Sequence, residues 1–224
     1  MFHVERRLRS RSVHGDPLHD LLSQGLAEIE LASELVEPLA RLCGLVAAWA
    51  GRMNLTAHRS PAEVAHRLVL EALALARVCP SAEPESVADL GSGAGFPGLP
   101  MALLWPRCRV TLIESRERRH HFQRAAIREL GLANATALRG RAEQLLPVRH
   151  EVVVAQAVAA PTRALAWMAP WAADSGWLLL PRSAAVPPVE PPAGIEGAFV
   201  RSYRVPPGGP LRTLWIGRRR AGPG

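Results

Sequence analysis

The sequence contains no lysine: its 27 basic side chains are all arginines, and they outnumber 20 acidic side chains to leave a formal net charge of +7. Without lysine, chemistry through a Schiff base and phosphate binding by a P-loop lysine are both excluded. The use of arginine at every basic position is typical of a GC-rich genome. It is equally typical of a protein surface whose guanidinium groups bind phosphate, and the two explanations are compatible. The charge therefore favours a polyanionic partner.

Cysteine is also scarce, and long apolar runs are missing. Cys43, Cys79 and Cys108 are an odd number at wide spacing, so they predict neither a disulfide framework nor a paired metal site. The charged segment over residues 1–16 lacks the apolar stretch of a secretory signal, and no run of about 18 apolar residues occurs. We therefore expect a cytoplasmic protein with no membrane span and no metal.

The chain divides by composition into four segments. At roughly 100 to 200 residues per domain, 224 residues predict one compact domain with a short appendage. We expect a flexible basic tail over residues 1–16, a helical subdomain over 17–80, an α/β domain over 81–217 and a flexible tail over 218–224. The arginines of the two tails would be phosphate-binding arms at most.

Apolar residues at helical spacing predict helices in the helical subdomain. A capping box at Ser60 and Glu63, with proline at the first helical position, begins the last of them. On this helix Arg67 and Glu71 are one turn apart, and they form either a solvated ion pair worth about 0.3 kcal/mol or a face that lines a cleft. The three apolar stripes are Leu18, Leu21, Leu22, Leu26 and Ile29; Leu42, Leu45, Val46 and Trp49; and Val64, Leu68, Ala72 and Leu75.

From about residue 84 onward, short apolar runs alternate with helical stretches. Such alternation predicts a largely parallel sheet covered by helices. The Pro/Gly-rich end of the chain leaves room for a final hairpin. The predicted strands are Val87–Leu90, Arg109–Glu114, Ala135–Arg139, Glu151–Ala155 and Trp177–Leu180, with the hairpin at Phe199–Val205 and Leu211–Ile216, and the predicted helices between them are Leu99–Trp105, Arg116–Leu130 and Arg163–Ala173.

A glycine-rich segment follows the first predicted strand. A strand, a glycine loop and a helix in succession place backbone N–H groups around a nucleotide-like ligand. Gly93, Gly95 and Gly98 match the dinucleotide fingerprint, whereas the run from Asp89 to Gly95, including Gly91, matches the loop that methyltransferases use for S-adenosylmethionine. We favour the methyl donor, because the remaining ~125 residues are too few for a second nucleotide half and a dehydrogenase substrate domain.

An acidic residue, Glu114, closes the second predicted strand. At this position a carboxylate can accept hydrogen bonds from both ribose hydroxyls of a bound nucleoside. The alternative is an acid near the start of the next helix, where the helix dipole favours negative charge. The glycine loop upstream favours the ribose role.

Several strings, taken together and in order, resemble one known family. They are NLT at 54–56, DLGSGAGFPGLP at 89–100, ES at 114–115 with Arg118 and Arg119, LGLAN at 130–134, and GRAE at 140–143. Over about residues 40–180 the chain is similar to the small-subunit ribosomal RNA methyltransferase G family, also called glucose-inhibited division protein B.

This resemblance implies both a fold and an activity. The fold would be the Rossmann-like one of class I S-adenosylmethionine-dependent methyltransferases, with a mostly parallel sheet, helices on both faces and a small helical N-terminal subdomain. The activity would be methyl transfer from S-adenosylmethionine to N7 of one guanine in 16S ribosomal RNA. Small-subunit ribosomal RNA, or the small subunit itself, would be the partner.

The resemblance also assigns site residues. Gly91 and Phe96 would contact the methyl donor from the glycine loop, and Ala142 and Glu143 would flank its adenine. Gln156 takes a further donor-binding position, where the family usually has the arginine of a Ser-Arg-Ala motif.

Two more motifs of the family are altered in this chain. The family's helix motif, which carries a His and a Ser, becomes RLVLEA at 67–72, so that Leu68 replaces the His. Where the family carries Leu-Lys-Gly after the fifth strand, this chain has LPR at 180–182, so Arg182 would only partly substitute for the lysine.

The chemistry implied by the resemblance needs no general base, because guanine N7 carries an unprotonated lone pair at neutral pH. Catalysis would come from orienting acceptor and donor and from excluding water. A surplus of arginine over residues 107–149 predicts salt-dependent RNA binding. The candidate substrate-binding residues are Arg67, Arg116, Arg118, Arg119 and Arg182.

Two other functions stay open for this sequence. The changes at Gln156 and Leu68 also fit a paralogue that methylates another RNA or a small molecule. A non-catalytic RNA-binding or assembly protein that keeps the fold is the third reading. We expect a monomer in each case.

Overall fold

A computed structural model gives the fold of residues 15–156, 159–183 and 189–222. Most of the predicted N-terminal tail lies outside these ranges, so its flexibility stays a prediction. The first helix begins directly after Asp16, whose carboxylate accepts a hydrogen bond from the backbone N–H of Leu18 at 3.0 Å. An aspartate at this position satisfies one of the free N–H groups of the first helical turn.

Two helices form the start of the described chain, as their apolar stripes predict. Helix α1 covers Pro17–Glu28 and α2 covers Val36–Ala50, with a 3₁₀ turn at Ser33–Leu35 between them. Leu22 and Leu26 of α1 are fully buried, as are Leu42 and Val46 of α2.

The third predicted helix contains an irregularity that its sequence does not indicate. It starts as α3, Pro61–Val64, with the predicted capping box in place, passes through a π-helical turn at Ala65–Val69, and ends as α4, Leu70–Arg77. The predicted stripe packs against the core, but Leu68 is only half-buried, and Val69 beside it on the π turn is fully buried. Single π turns inside helices are frequent at functional sites.

The rest of the chain forms one seven-stranded sheet with the order β3-β2-β1-β4-β5-β7-β6. The first five strands are parallel, and β7 pairs antiparallel with both β5 and β6. The strands are β1 Ser86–Leu90, β2 Arg109–Glu114, β3 Ala135–Arg139, β4 His150–Ala155, β5 Ala172–Ser183, β6 Ile195–Arg204 and β7 Leu211–Arg219.

Helices cover both faces of the sheet, as predicted. The N-terminal helices share one core with α5, Gly98–Leu104, and α6, Glu117–Leu130. In this core Trp49 of α2 meets Phe122 of α6 with ring centroids 5.5 Å apart. Helix α7, Pro161–Met168, packs on the opposite face in a second core.

Two predicted boundaries near the end of the chain are wrong. The predicted helix to Ala173 ends early: α7 gives way to a 3₁₀ turn at Ala169–Trp171, and β5 starts at Ala172. Pro170 lies within that turn and has no N–H to continue a helix.

The predicted flexible tail from Arg218 onward is also wrong for its first residues, because β7 continues to Arg219. Arg218 Nε donates to the Ser175 carbonyl at 3.0 Å, and Arg219 Nη1 donates to the carbonyls of Ala169 and Ala172 at 2.9 and 2.8 Å. These bonds tie the end of the strand to the start of β5.

Candidate active site

A cleft opens at the carboxyl ends of β1, β2 and β4, with a cavity of about 250 Å³. Leu90 and Gly91 come from the end of β1, Ile113 and Glu114 from β2, and Ala155 from β4. The segment over residues 140–143 and one side of α7 close the other walls. In open parallel sheets, ligands bind at this edge, where the strand order reverses.

The predicted glycine loop connects β1 to α5, and of its glycines Gly91 lines the cleft while Gly93 and Gly95 do not. Gly91, Gly93 and Gly95 have φ values of +70°, +56° and +85°, a region that residues with a side chain rarely adopt. The N–H of Gly91 donates to the Ile113 carbonyl at 2.8 Å, so the loop is bonded to the end of β2. A β-carbon at Gly95 would overlap the Leu99 side chain. The glycines therefore serve both backbone conformation and close packing.

Gln123 of α6 supports this loop from below, and sequence reasoning missed it. Its side chain is fully buried, and Nε2 donates to Ser92 Oγ at 2.8 Å and to the Gly93 carbonyl at 2.9 Å. Its position could have indicated this role, because the glutamine lies in the buried stripe of α6 between Phe122 and Ala126. A buried amide needs hydrogen-bond partners; here the loop accepts from Nε2, while Oε1 has no partner among the described residues.

Asp89, predicted to bind the donor, lies beneath the loop and does not line the cleft. Its Oδ2 accepts a hydrogen bond from the Gly98 N–H at 2.8 Å, which joins β1 to the first residue of α5. Burial raises the pKa of this carboxyl to about 7, an effect that outweighs the hydrogen bond from Gly98. Phe96 is likewise buried in the core, with 8% of its surface exposed. Both residues shape the loop.

Gly98→Ala is expected to destabilise the protein by about 2 kcal/mol, because the added methyl would meet Leu112 Cδ2 and lie 2.9 Å from Asp89 Oδ2. The matched control is Gly44→Ala inside α2, where an added methyl meets nothing within 4 Å. That change should stabilise the protein by about 0.5 kcal/mol. Denaturant unfolding of both variants measures the contrast, and an equal effect of the two substitutions would contradict it.

Glu114 sits where the cleft, the loop and α6 meet, and only 4% of it is exposed. Oε2 accepts from the Gly93 N–H at 3.0 Å, and Oε1 accepts from the Arg116 N–H at 2.7 Å. Arg116 directly precedes α6, so Glu114 also binds a backbone N–H at the start of that helix, as the alternative interpretation expected. Its place in the cleft wall also suits the ribose role.

Ala142 and Glu143 lie across the cleft from the glycine loop, in the segment that follows β3. The indole N–H of Trp171 donates to the Ala142 carbonyl at 3.1 Å, and the Gly140 N–H donates to the Glu114 carbonyl at 3.1 Å. These bonds fix the segment against both neighbouring walls. The structure therefore brings together Gly91, Glu114 and this pair, which come from three separate stretches of sequence.

Gln156 does not line the cleft, although it follows Ala155, which does. Its Nε2 lies 3.5 Å from Oε1 of Glu71 on α4. Glu71 in turn pairs with Arg212 at the start of β7, with Nε to Oε1 at 3.1 Å and Nη2 to Oε2 at 3.4 Å. Neither alternative for Arg67 and Glu71 holds among the described residues: Glu71 pairs with Arg212 instead of Arg67, and neither residue lines the cleft. Arg67 is exposed on the π turn.

The predicted substrate arginines occupy different places. Arg116 and Arg119 line the cleft, and they are joined by Arg141, which the sequence did not single out. Arg119 Nη1 is 3.9 Å from Glu114 Oε2, and its buried Nε has no hydrogen-bond partner among the described residues. Arg118 is exposed on α6, and Arg182 is half-buried on β5 beside β7. The basic residues at the cleft mouth thus come from two elements.

Within residues 15–156, 159–183 and 189–222, no three His, Cys, Asp or Glu side chains come together as a metal site would require. No helix in the same ranges is long and apolar enough to cross a membrane.

The sheet order, the glycine loop after β1 and the acid at the end of β2 define the fold of the class I S-adenosylmethionine-dependent methyltransferases, a Rossmann-like fold. The family described as GidB, rRNA small subunit methyltransferase G, matches residues 35–186. The chain belongs to this family, which confirms the predicted resemblance.

Individual relatives agree with this assignment. A ribosomal RNA small subunit methyltransferase G from Stenotrophomonas maltophilia is 43% identical over 129 residues, which are 58% of this chain and 59% of the relative. The chain thus spans about three fifths of the length of the curated relatives it matches.

Solved structures show the same fold at low sequence identity. A SAM-dependent methyltransferase from Aquifex aeolicus superposes with a TM-score of 0.52 at 17% identity, covering 70% of this chain and 93% of that one. TrmN from Thermus thermophilus gives 0.52 at 21% identity, covering 66% and 48%.

Proposed function

We propose that the protein is an S-adenosylmethionine-dependent methyltransferase that methylates N7 of a guanine in small-subunit ribosomal RNA. The observation that carries the proposal is the Glu114 carboxylate, which lines the cleft together with Gly91 and accepts a hydrogen bond from the Gly93 N–H of the glycine loop. The acceptor is supported by membership of a family whose described activity is methylation of small-subunit rRNA.

The residues of the cleft fit the proposed methyl donor. Glu114 offers a buried carboxylate, which accepts hydrogen bonds only and so matches two ribose hydroxyls. Leu90 and Ile113 give the cleft apolar surface for a base, and Ala142 and Glu143 would flank the adenine. When bound, S-adenosylmethionine supplies an activated methyl group on sulfonium sulfur.

The protein's share of the chemistry is positioning. Guanine N7 has a free lone pair in the plane of the base, so transfer of the methyl group to it requires no proton acceptor on the enzyme. The cleft walls would orient donor and acceptor for transfer, which lowers the entropic cost of reaching the transition state. No residue of this site is assigned a proton-transfer role.

Arginines at the mouth of the cleft favour an RNA acceptor. Arg116 and Arg141 are exposed and line the cleft, and Arg119 is half-buried between them and Glu114. A planar guanidinium group can donate two parallel hydrogen bonds to phosphate oxygens. When arginines neutralise the phosphates, the counterions that were bound to the RNA are released. Binding of the acceptor should therefore weaken steeply with salt, which a small-molecule acceptor would not show.

Methyl transfer to small ribosomal subunits that lack N7-methylguanine tests the proposal. Labelled S-adenosylmethionine and the full chain are incubated with these subunits, and nucleosides are identified by mass spectrometry. We expect labelled 7-methylguanosine. Donor binding without a labelled product would indicate a paralogue with another acceptor. Absence of donor binding would indicate a non-catalytic RNA-binding or assembly protein.

A further inference from the structure

A group of four side chains lies beside the cleft at the carboxyl edge of the sheet and takes no part in the site described so far. Gln156 follows β4, Glu71 is the second residue of α4 and Arg212 the second residue of β7. Tyr203 faces Arg212 across the β6–β7 ladder. We call these four residues the edge cluster. It adjoins the cleft directly, because Gln156 is the next residue after Ala155 of the cleft wall.

The edge cluster is anchored by the pair of Glu71 and Arg212. The guanidinium contacts both carboxylate oxygens, at 3.1 and 3.4 Å, and the two side chains are 14% and 29% exposed. Tyr203 packs against this pair with a buried hydroxyl, and burial together with the negative charge of Glu71 raises the pKa of its phenol. A two-point contact of this kind restricts the orientation of Glu71.

Glu71 decides which way the Gln156 amide faces. A carboxylate can only accept hydrogen bonds, so the nitrogen of the amide must turn toward Glu71, as the 3.5 Å Nε2–Oε1 separation shows. The oxygen of the amide is then turned away from Glu71. No hydrogen bond to that oxygen is found among the described residues. The edge cluster therefore presents a hydrogen-bond acceptor next to the cleft.

We infer that Oε1 of Gln156 accepts a hydrogen bond from the N1–H or N2–H group of the acceptor guanine, with Glu71 and Arg212 as positioning residues. This inference rests on the proposed function. N7 lies on the side of guanine opposite N1 and N2, so a contact at the N1/N2 edge holds the base and leaves N7 open to the methyl group. Adenine has no N–H at N1 and no amino group at C2, so the contact also favours guanine.

The test compares Gln156→Ala, Glu71→Gln and the double variant with the wild-type full chain, using methyl transfer to unmodified small subunits. Gln156→Ala is expected to lower kcat/KM for the subunits about tenfold, the usual effect of losing one hydrogen bond to a desolvated donor. Affinity for S-adenosylmethionine should stay within about twofold of wild type, since Gln156 does not line the cleft. The matched control is Gln24→Ala on the exposed side of α1.

Non-additivity distinguishes positioning from a purely structural role of Glu71. Glutamine at position 71 can donate to Oε1 of Gln156 and reverse its amide, so Glu71→Gln should lose several-fold in kcat/KM. The double variant should then fall about as far as Gln156→Ala alone, because both changes remove the same contact. Glu30→Gln, which breaks the exposed ion pair with Arg77, controls for loss of an ion pair.

Each outcome decides between distinct conclusions. Wild-type activity in Gln156→Ala, or additive losses in the double variant, would overturn the inference and leave the proposed function intact. Loss of donor affinity in Gln156→Ala would also overturn it, by assigning Gln156 to the donor site. Absence of methyl transfer by the wild-type chain would overturn both. If Glu71→Gln does not fold, Arg212→Lys replaces it, with the same non-additive result expected alongside Gln156→Ala.

Discussion

Glu114→Ala is expected to weaken binding of S-adenosylmethionine about a hundredfold, as measured by titration calorimetry. Two hydrogen bonds from ribose hydroxyls to a buried carboxylate are each worth roughly 1.5 kcal/mol or more, and both are lost with the side chain. The substitution also frees the Gly93 and Arg116 N–H groups that Glu114 binds, which loosens the loop. The effect should therefore fall on donor affinity before any chemical step.

The control for this substitution is Glu117→Ala, three residues further on. Glu117 is exposed in the first turn of α6 and pairs with Arg139 at 3.1 Å, outside the cleft lining. Surface ion pairs contribute about 0 to 1 kcal/mol, so this change should leave donor affinity unaltered. An unchanged affinity of Glu114→Ala for S-adenosylmethionine would refute the ribose assignment. The role of Glu114 would then be to hold the glycine loop through the Gly93 N–H.

Asp89 is expected to make the protein less stable as the pH rises toward 8. Its carboxyl has a folded-state pKa of about 7, above the unfolded value of 3.8, because it is fully buried. The folded state thus binds the proton more tightly, and its stabilising contribution is complete below about pH 4 and lost as the pH passes through about 7. The contribution at stake is about 4 kcal/mol.

Asp89→Asn removes this titration and retains an oxygen that can accept from the Gly98 N–H. Denaturant unfolding at pH 5 and pH 8 should therefore show wild type losing about 3 kcal/mol relative to the variant across that interval, the larger part of the total. Asp20→Asn, on the exposed side of α1, controls for removal of one carboxylate from the chain. Parallel pH profiles of wild type and Asp89→Asn would show that the carboxyl is not titrating in the folded protein.

The strands and the glycine loop were predictable because their signals are local. Strands β2 and β3 have the same bounds as the predicted runs Arg109–Glu114 and Ala135–Arg139. These signals are apolar alternation, capping residues and glycine spacing. Each involves only a few neighbouring residues, so one short stretch of sequence is enough to predict the element. The capping box at Ser60 and Glu63 forms as predicted for the same reason.

The supports of the site were not predictable in this way. Gln123 contacts Ser92, and Arg212 contacts Glu71, across 31 and 141 residues of sequence. Such pairs depend on which helix packs on which strand. That packing cannot be deduced from a single sequence without related sequences. The π turn at Ala65–Val69 also escapes periodicity, because an added residue rotates every later side chain on the helix.

The sequence by itself determined the chain's class: a basic, lysine-free α/β protein with a nucleotide-type loop at 91–98 and an acid at the end of the second strand. Those features follow from composition and short-range pattern. Only the tertiary structure decided that Asp89 supports the loop from below and that Gln156 turns to Glu71. Burial and long-range pairing set those roles, because a side chain's partner is whatever the packed fold brings within hydrogen-bond reach.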